Sequence, residues 1–179
     1  MYKRQPALCS FESDLCNWTP NDNNSFNFLR ISAEQLRTIM TTNLSPDINY
    51  DVTLNTKYGH FLWIGPEYYS NFKNKSSQII SETIFDRREQ CFSMYYFLYG
   101  ADVGSLNVYR KPSKFNKTLQ FTQFGNQGQY WKRALIKLPE VNSSYELFIE
   151  GLLGTSKGDM AIDDTYLYHG DCSSIPTTP

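Results

Sequence analysis

The hydrophobic positions of this chain recur mostly at every second residue, the period of a strand with one buried face. Leu106 and Val108 alternate with Asn107 and Tyr109, and Ala134, Ile136 and Leu138 share one side of the run Tyr130–Leu138. Further strands are predicted at Phe26–Ile31, His60–Ile64, Gln78–Phe85, Leu119–Phe124, Tyr145–Glu150 and Met160–Tyr168. Cys91–Tyr99 is apolar on both faces, which suits a central strand. Turn residues punctuate the runs: Gly65-Pro66, Gly100-Ala-Asp-Val-Gly104 and Gly125-Asn-Gln-Gly128. Asn17–Ser25 reads as polar loop. Ser32 with Gln35 has the form of a capping box, so Ser32–Met40 reads as a short helix or as a loop. Many short strands at regular spacing, with no long helix, predict an all-β sandwich or barrel.

Composition agrees. Aromatic residues make up 16% of the 179 residues, with 13 Tyr and 12 Phe, and such residues favour strands. A hydrophobic content of 40% is enough for one domain with a core. The net charge is −1 and basic residues do not cluster, so no nucleic-acid footprint is present. No apolar run is long enough to span a bilayer, so direct membrane insertion by this domain is not expected. The opening Met1-Tyr-Lys-Arg-Gln5 reads as foreign to the domain, and the chain as a piece cut from a larger protein.

The four cysteines, Cys9, Cys16, Cys91 and Cys172, contain no Cys-x-x-Cys, and neither His60 nor His169 lies near a cysteine pair. A zinc site is therefore not expected. Of three connectivities, Cys9–Cys16 with Cys91–Cys172 nests most simply. Asn17, Asn23, Asn43, Asn74, Asn116 and Asn142 each open an Asn-x-Ser/Thr sequon, Asn43 being the weakest because Pro46 follows its Ser45. Paired cysteines and sequons together favour an extracellular chain.

One segment invites chemistry. Gly158-Asp-Met-Ala-Ile-Asp163-Asp164-Thr-Tyr-Leu167 reads as a buried strand with two adjacent carboxylates. Strict alternation puts Asp163 inward with Ala161, Thr165 and Leu167, and Asp164 on the other face. A buried carboxylate must be paired, hydrogen-bonded or bound to a metal. Adjacent carboxylates on opposite faces do not flank a sugar as a glycosidase pair does, at roughly 5–9.5 Å. His60 and His169 lack a nucleophile motif and read as structural, and no catalytic residue is expected. Trp18 reads as core. Tyr130 and Trp131, beside a turn, form a candidate aromatic ligand platform.

Several ordered motifs resemble the MAM domain, an extracellular module of receptor phosphatases, neuropilins and meprin proteases. They are Cys9-Ser-Phe-Glu12 with Leu15-Cys16-Asn-Trp18; Asp51-Val-Thr53; Gly59-His-Phe-Leu62; Cys91 through Gly100; Gly104-Ser-Leu-Asn-Val108; Gly125-Asn-Gln-Gly128 with Trp131 and Arg133; and Glu150-Gly151 through Asp164 to Cys172. One departure is Asn23-Asn24-Ser25-Phe26-Asn27-Phe28, which has amides where the family often carries an acidic cluster. The resemblance implies a jelly-roll of two antiparallel sheets over residues 9–172, the disulfide pairing above, a non-domain segment at 1–8 and a linker starting at 173–179.

It also implies that the two ends of the domain lie side by side. Glu12, Asp51, Asp159 and Asp163 are then candidate ligands of one structural Ca2+, an ion that takes six to eight oxygens. The latch would sit beside the Cys91–Cys172 bridge. The alternative is that Asp163 accepts backbone N–H bonds or pairs with Arg133. The implied function is recognition of other cell-surface proteins, including a second copy of the chain. The rival is a carbohydrate-binding module.

Overall fold

The computed structural model describes residues 7–40, 47–155 and 157–176. The Asn43 sequon, the opening Met1–Gln5 and residues 177–179 lie outside them. Ten strands form two antiparallel five-stranded sheets. In chain order they are β1 (Trp18–Pro20), β2 (Leu29–Ser32), β3 (His60–Ile64), β4 (Ser76–Ser81), β5 (Gln90–Gly100), β6 (Gly104–Pro112), β7 (Thr118–Phe124), β8 (Lys132–Leu138), β9 (Tyr145–Leu153) and β10 (Gly158–His169). The first sheet runs β1-β4-β9-β6-β7 and the second β2-β3-β10-β5-β8, a jelly-roll sandwich. Helix α1 (Ala33–Ile39) follows β2 directly.

The alternation read from sequence builds the core. From β5, Phe92, Met94, Tyr96 and Leu98 point between the sheets, where they meet Leu106, Val108, Leu147 and Ile149 of the first sheet. Trp18 seals this core against Phe92, and its indole N–H donates to Thr165 Oγ1 at 3.2 Å. A second apolar cluster lies on the outer face of the second sheet. There Phe61, Trp63, Phe97 and Ala161 are covered by Leu36 and Met40 of the helix segment and by Ile48. The capping box decides between helix and loop: Gln35 N–H donates to Ser32 Oγ, and Ser32 N–H donates to Gln35 Oε1.

Two expectations need correction. β1 lies inside the predicted loop Asn17–Ser25, because three residues show no periodicity. The strand placed at Gln78–Phe85 stops at Ser81, leaving Phe85 76% exposed. Both disulfides form as expected, Cys9–Cys16 and Cys91–Cys172. Burial continues just outside 9–172, to Ala7 and Ile175.

The contrast between two phenylalanines tests this packing. Phe92→Ala should cost about 3–5 kcal/mol, since the ring is buried on both sides of a close-packed core. Phe85→Ala should change stability by less than about 0.5 kcal/mol, as surface substitutions do. Urea melts of the two variants check both values.

Candidate functional site

The site is built on one irregularity in β10. Its register with β5 passes from Asp163↔Tyr95 to Tyr166↔Ser93, so two residues face one partner. This is a β-bulge, and Asp164 takes the left-handed φ of 42° that an Asp tolerates better than most residues. The extra residue shifts the phase. Before the bulge, Met160 and Ile162 face the core between the sheets, while Ala161 faces the outer cluster. After it, Leu167 joins the inter-sheet core. Asp163 therefore shares a face with Ala161 but not with Leu167, as strict alternation would have had it. Its carboxylate lies under the 47–59 segment, on the outer side of the second sheet.

Backbone N–H groups hold the acidic side chains there. Asp163 accepts from Val52 N–H and Asp164 N–H, both at 2.8 Å. Asp51 accepts from Leu54 N–H at 2.6 Å and Thr56 N–H at 3.0 Å. Glu12 accepts from His60 N–H at 3.0 Å, and burial together with the neighbouring Asp51 carboxylate raises its pKa. Asp164, which sequence reading left aside, accepts from Thr53 Oγ1 at 2.7 Å. Gly59 passes so close that a Cβ there would stand 2.1 Å from the Asp51 carboxyl carbon. Arg30 donates to the carbonyls of Phe11 and Glu12, tying the start of the domain to β2.

Sequence placed four carboxylates together, and the structure joins three. Glu12, Asp51 and Asp163 are neighbours, with Asp51 in the middle. Asp159 lies four residues from Asp163 on the same strand face, about 13 Å away at strand rise. It belongs to a second group: it accepts from Trp63 Nε1–H and Asp47 N–H, each at 2.6 Å, with the charges of Asp47 and Glu67 nearby. Arg133 does not reach Asp163. It donates to Ser93, Tyr168 and Pro176. The bridge beside the cluster is Cys9–Cys16, since Cys9 pairs with Thr165, whereas Cys91 lies opposite Tyr168.

Among the described residues, no three His, Cys, Asp or Glu side chains surround a common point. The chemistry of the donor set is that of a hard cation's ligands: the oxygens are anionic and carry like charges close together.

Other assignments sort as follows. His60 Nδ1 lies 3.9 Å from Glu12, and His169 Nδ1 lies 3.1 Å from Asp86. Trp131 is half-buried. Its ring edges pack on Phe61 and Phe97 at 5.6 and 5.7 Å, and its N–H donates to the Tyr50 carbonyl. Tyr130 beside it is 54% exposed. Asn23, Asn74, Asn116 and Asn142 are exposed; Asn17 is half-buried and donates to Glu82.

Burial sets the electrostatics. It pushes Asp163 up to about 8, helped by the charges of Asp164 and Asp51 and opposed by the two N–H bonds. Burial pushes Asp159 up to about 6 and also raises Glu12 and Asp164. The sign follows from linkage. The unfolded chain gives up these protons near 3.8, while the fold keeps them to about 6 and about 8. The folded state then binds more protons across that window, so stability falls as pH rises through it. In EDTA, the urea midpoint should be lower at pH 8 than at pH 5. Asp163→Asn should flatten the slope between pH 6 and 8; a slope unchanged in that variant would contradict the assignment.

Known proteins carry the same architecture. The chain matches the MAM domain family (meprin/A5/mu) over residues 9–173. It is 27% identical over 185 residues to MAM domain-containing glycosylphosphatidylinositol anchor protein 2 of Rattus norvegicus, covering 94% of this chain. It spans about a fifth of that relative, 19% of its length. By structure it resembles the K2 cleaved adhesin domain of Lys-gingipain, with a TM-score of 0.60 and 14% identity over 92% of this chain and 97% of that one. It also resembles the Clostridium thermocellum xylanase 10B CBM22-1–GH10 modules complexed with xylohexaose, with a TM-score of 0.58 and 12% identity over 97% of this chain and 29% of that one. These two likenesses establish the shared sandwich fold. The motif order, the two bridges and the match along almost the whole sandwich agree: the chain belongs to the MAM domain family.

Proposed function

We propose that this domain is an extracellular recognition module of a larger protein, and that it pairs with a second copy of itself through the first sheet. The carrying observation is the contrast between the two outer faces. On the second sheet, α1 and Ile48 cover the apolar side chains Phe61, Trp63, Phe97 and Ala161. On the first sheet, Leu119 and Phe124 of the edge strand β7 stand 51% and 75% exposed, with the half-buried Tyr109 opposite Leu119. From Thr118 to Trp131 the chain has no charged residue, and the nearest charge before it, the Lys117 ammonium, lies 4.7 Å over the Tyr109 ring. In a two-fold contact, a charge near the axis meets its own copy, so an uncharged edge suits self-pairing. An edge strand without Lys or Pro also lacks the usual protection against edge pairing. Two disulfides support an oxidising compartment. The module recognises by surface complementarity, not by catalysis.

Sedimentation of the domain over a concentration series tests this reading. Self-association should appear and should be abolished in a Leu119→Glu, Phe124→Glu double variant of unchanged stability. A monomer at every concentration would overturn it.

A second reading, carbohydrate binding, is favoured by the likeness to the xylanase modules complexed with xylohexaose. It calls for a site other than Trp131.

One structural Ca2+ is part of the proposal, with Glu12, Asp51 and Asp163 as its protein ligands and Asp159 left out. When bound, the ion would replace the proton shared by the acidic group and neutralise its charge. The melting temperature should rise with excess calcium and fall in EDTA, and Asp51→Asn should abolish the difference. An ion present at ~100 times its dissociation constant adds ~2.7 kcal/mol. Identical melting curves in calcium and EDTA would rule the ion out.

A further inference from the structure

A depression of about 320 Å³ lies on the outer face of the second sheet, beyond the bulge and away from the β7 edge. Its volume falls in the range of small-ligand sites, roughly 300–1,000 Å³. Tyr95, Tyr166 and Tyr168 line it together with Arg133, Ser10 and Asp164. The bulge creates it, because the phase shift turns Tyr166 and Tyr168 outward, where their ring centroids lie 4.2 Å apart with the planes tilted by 40°. Both rings are half-buried, so part of each remains open to a ligand.

Arg133 is the informative group. It is half-buried, and its guanidinium lies over the Tyr95 and Tyr168 rings at 5.8 and 6.0 Å. Its hydrogen bonds go to Ser93 Oγ, the Pro176 carbonyl and Tyr168 OH, all neutral. Among the described residues no carboxylate lies within ion-pair distance of it. These three bonds leave N–H groups unspent, since a guanidinium carries five. A cation held this way, in a depression walled by aromatic rings, suits a carboxylate that approaches the remaining N–H fork.

The rest of the lining says which carboxylate. The floor consists of β8, β5 and β10; β5 and β10 are paired on both sides, and β8 keeps its open edge at the border of the sheet, so the face itself offers a ligand only side chains. An extended peptide would pair along that edge and not over the face. The side chains present are hydroxyls and ring faces. Tyr168 OH accepts from Arg133, which leaves its proton free to donate. Ser10 adds a hydroxyl, and Asp164 adds an acceptor on the opposite wall. Ring faces match the C–H face of a pyranose, and the surrounding hydroxyls and carboxylate match its OH groups.

We propose that this depression binds an acidic sugar, a uronic or sialic acid residue, with its carboxylate on Arg133, its ring against Tyr166 and Tyr168, and its hydroxyls toward Asp164 and Ser10. The site is independent of self-pairing through β7, so the failure of either leaves the other standing.

The test is NMR titration of the full chain with glucuronic acid, N-acetylneuraminic acid, glucose and a hexaglutamate peptide. The two acidic sugars should move the Arg133 Nε–H resonance and the Tyr95, Tyr166 and Tyr168 signals, with glucose at least about tenfold weaker, as loss of one charge-assisted contact predicts. Arg133→Lys should weaken binding by about tenfold, since it keeps the charge but loses the planar fork. Arg133 also holds Pro176, so Tyr166→Leu, which removes a ring with no described hydrogen bond, supplies a second variant. It should also weaken the acidic sugars while the melting temperature holds. The Leu119→Glu, Phe124→Glu variant should bind as the parent does. Glucose binding as tightly as glucuronic acid would overturn the role of Arg133. Hexaglutamate shifting these resonances while both sugars leave them still would overturn the sugar in favour of a protein carboxylate. No shift with any probe would overturn the site.

Discussion

One extra residue in β10 sets up most of what is distinctive in this domain. Strand β10 lies between β3 and β5 near the centre of the second sheet, and it also pairs with Cys9 from the start of the fold. A regular strand here would show one face to the core along its whole length. The bulge lets the first half bury Asp163 under the 47–59 segment and the second half put Leu167 into the core. It also puts Asp164 N–H where it can serve Asp163. The buried carboxylate and the aromatic depression are thus two results of one local phase shift.

Most strands were legible because burial on one face writes itself into sequence at period two. β5 was legible even in its two-sidedness, since α1 and Ile48 cover part of its outer face. The bulge was harder to see, because the extra residue falls in the polar run Asp163-Asp164-Thr165 and is flanked by no apolar repeat that would mark it. A signal did exist: Ile162 and Leu167 are large aliphatics an odd number of residues apart, and both can reach one core only if the phase shifts between them. Strand rise alone would also have separated Asp159 from Asp163. The depression was not legible at all. Arg133 and Tyr95 meet across β8 and β5, and Tyr168 joins them from β10. Only the register of three strands distant in sequence brings these groups together.

The acidic group is costly, and its arrangement shows how the cost is contained. Asp51 and Asp163 are met by main-chain N–H groups from the 47–59 segment and from β10, Glu12 by the His60 N–H of β3, and Asp164 by the Thr53 hydroxyl, bonds that favour the charged form. Burial and the neighbouring charges outweigh them, which is why Asp163 rises in spite of two good N–H bonds. The N–H bonds fix the shape of the site, and Arg30 offsets part of the charge on Glu12. What remains on Asp163 is relieved in acid by a proton.

A net charge of −1 conceals this segregation. Negative charge concentrates where the start of the domain, the 47–59 segment and β10 meet. The far edge of the first sheet, from Thr118 onward, carries none. Arg133 stands between the two regimes, on the sheet with the acids but among neutral acceptors. A whole-chain charge near zero would suggest a surface indifferent to electrostatics. The local arrangement gives three surfaces of different character: a buried acidic group, an edge with Leu119 and Phe124 exposed, and a depression of aromatic rings around Arg133. The bulge joins the first and the third, since Asp164 accepts from Thr53 beside the acidic group and also lines the depression, while the β7 edge belongs to the other sheet.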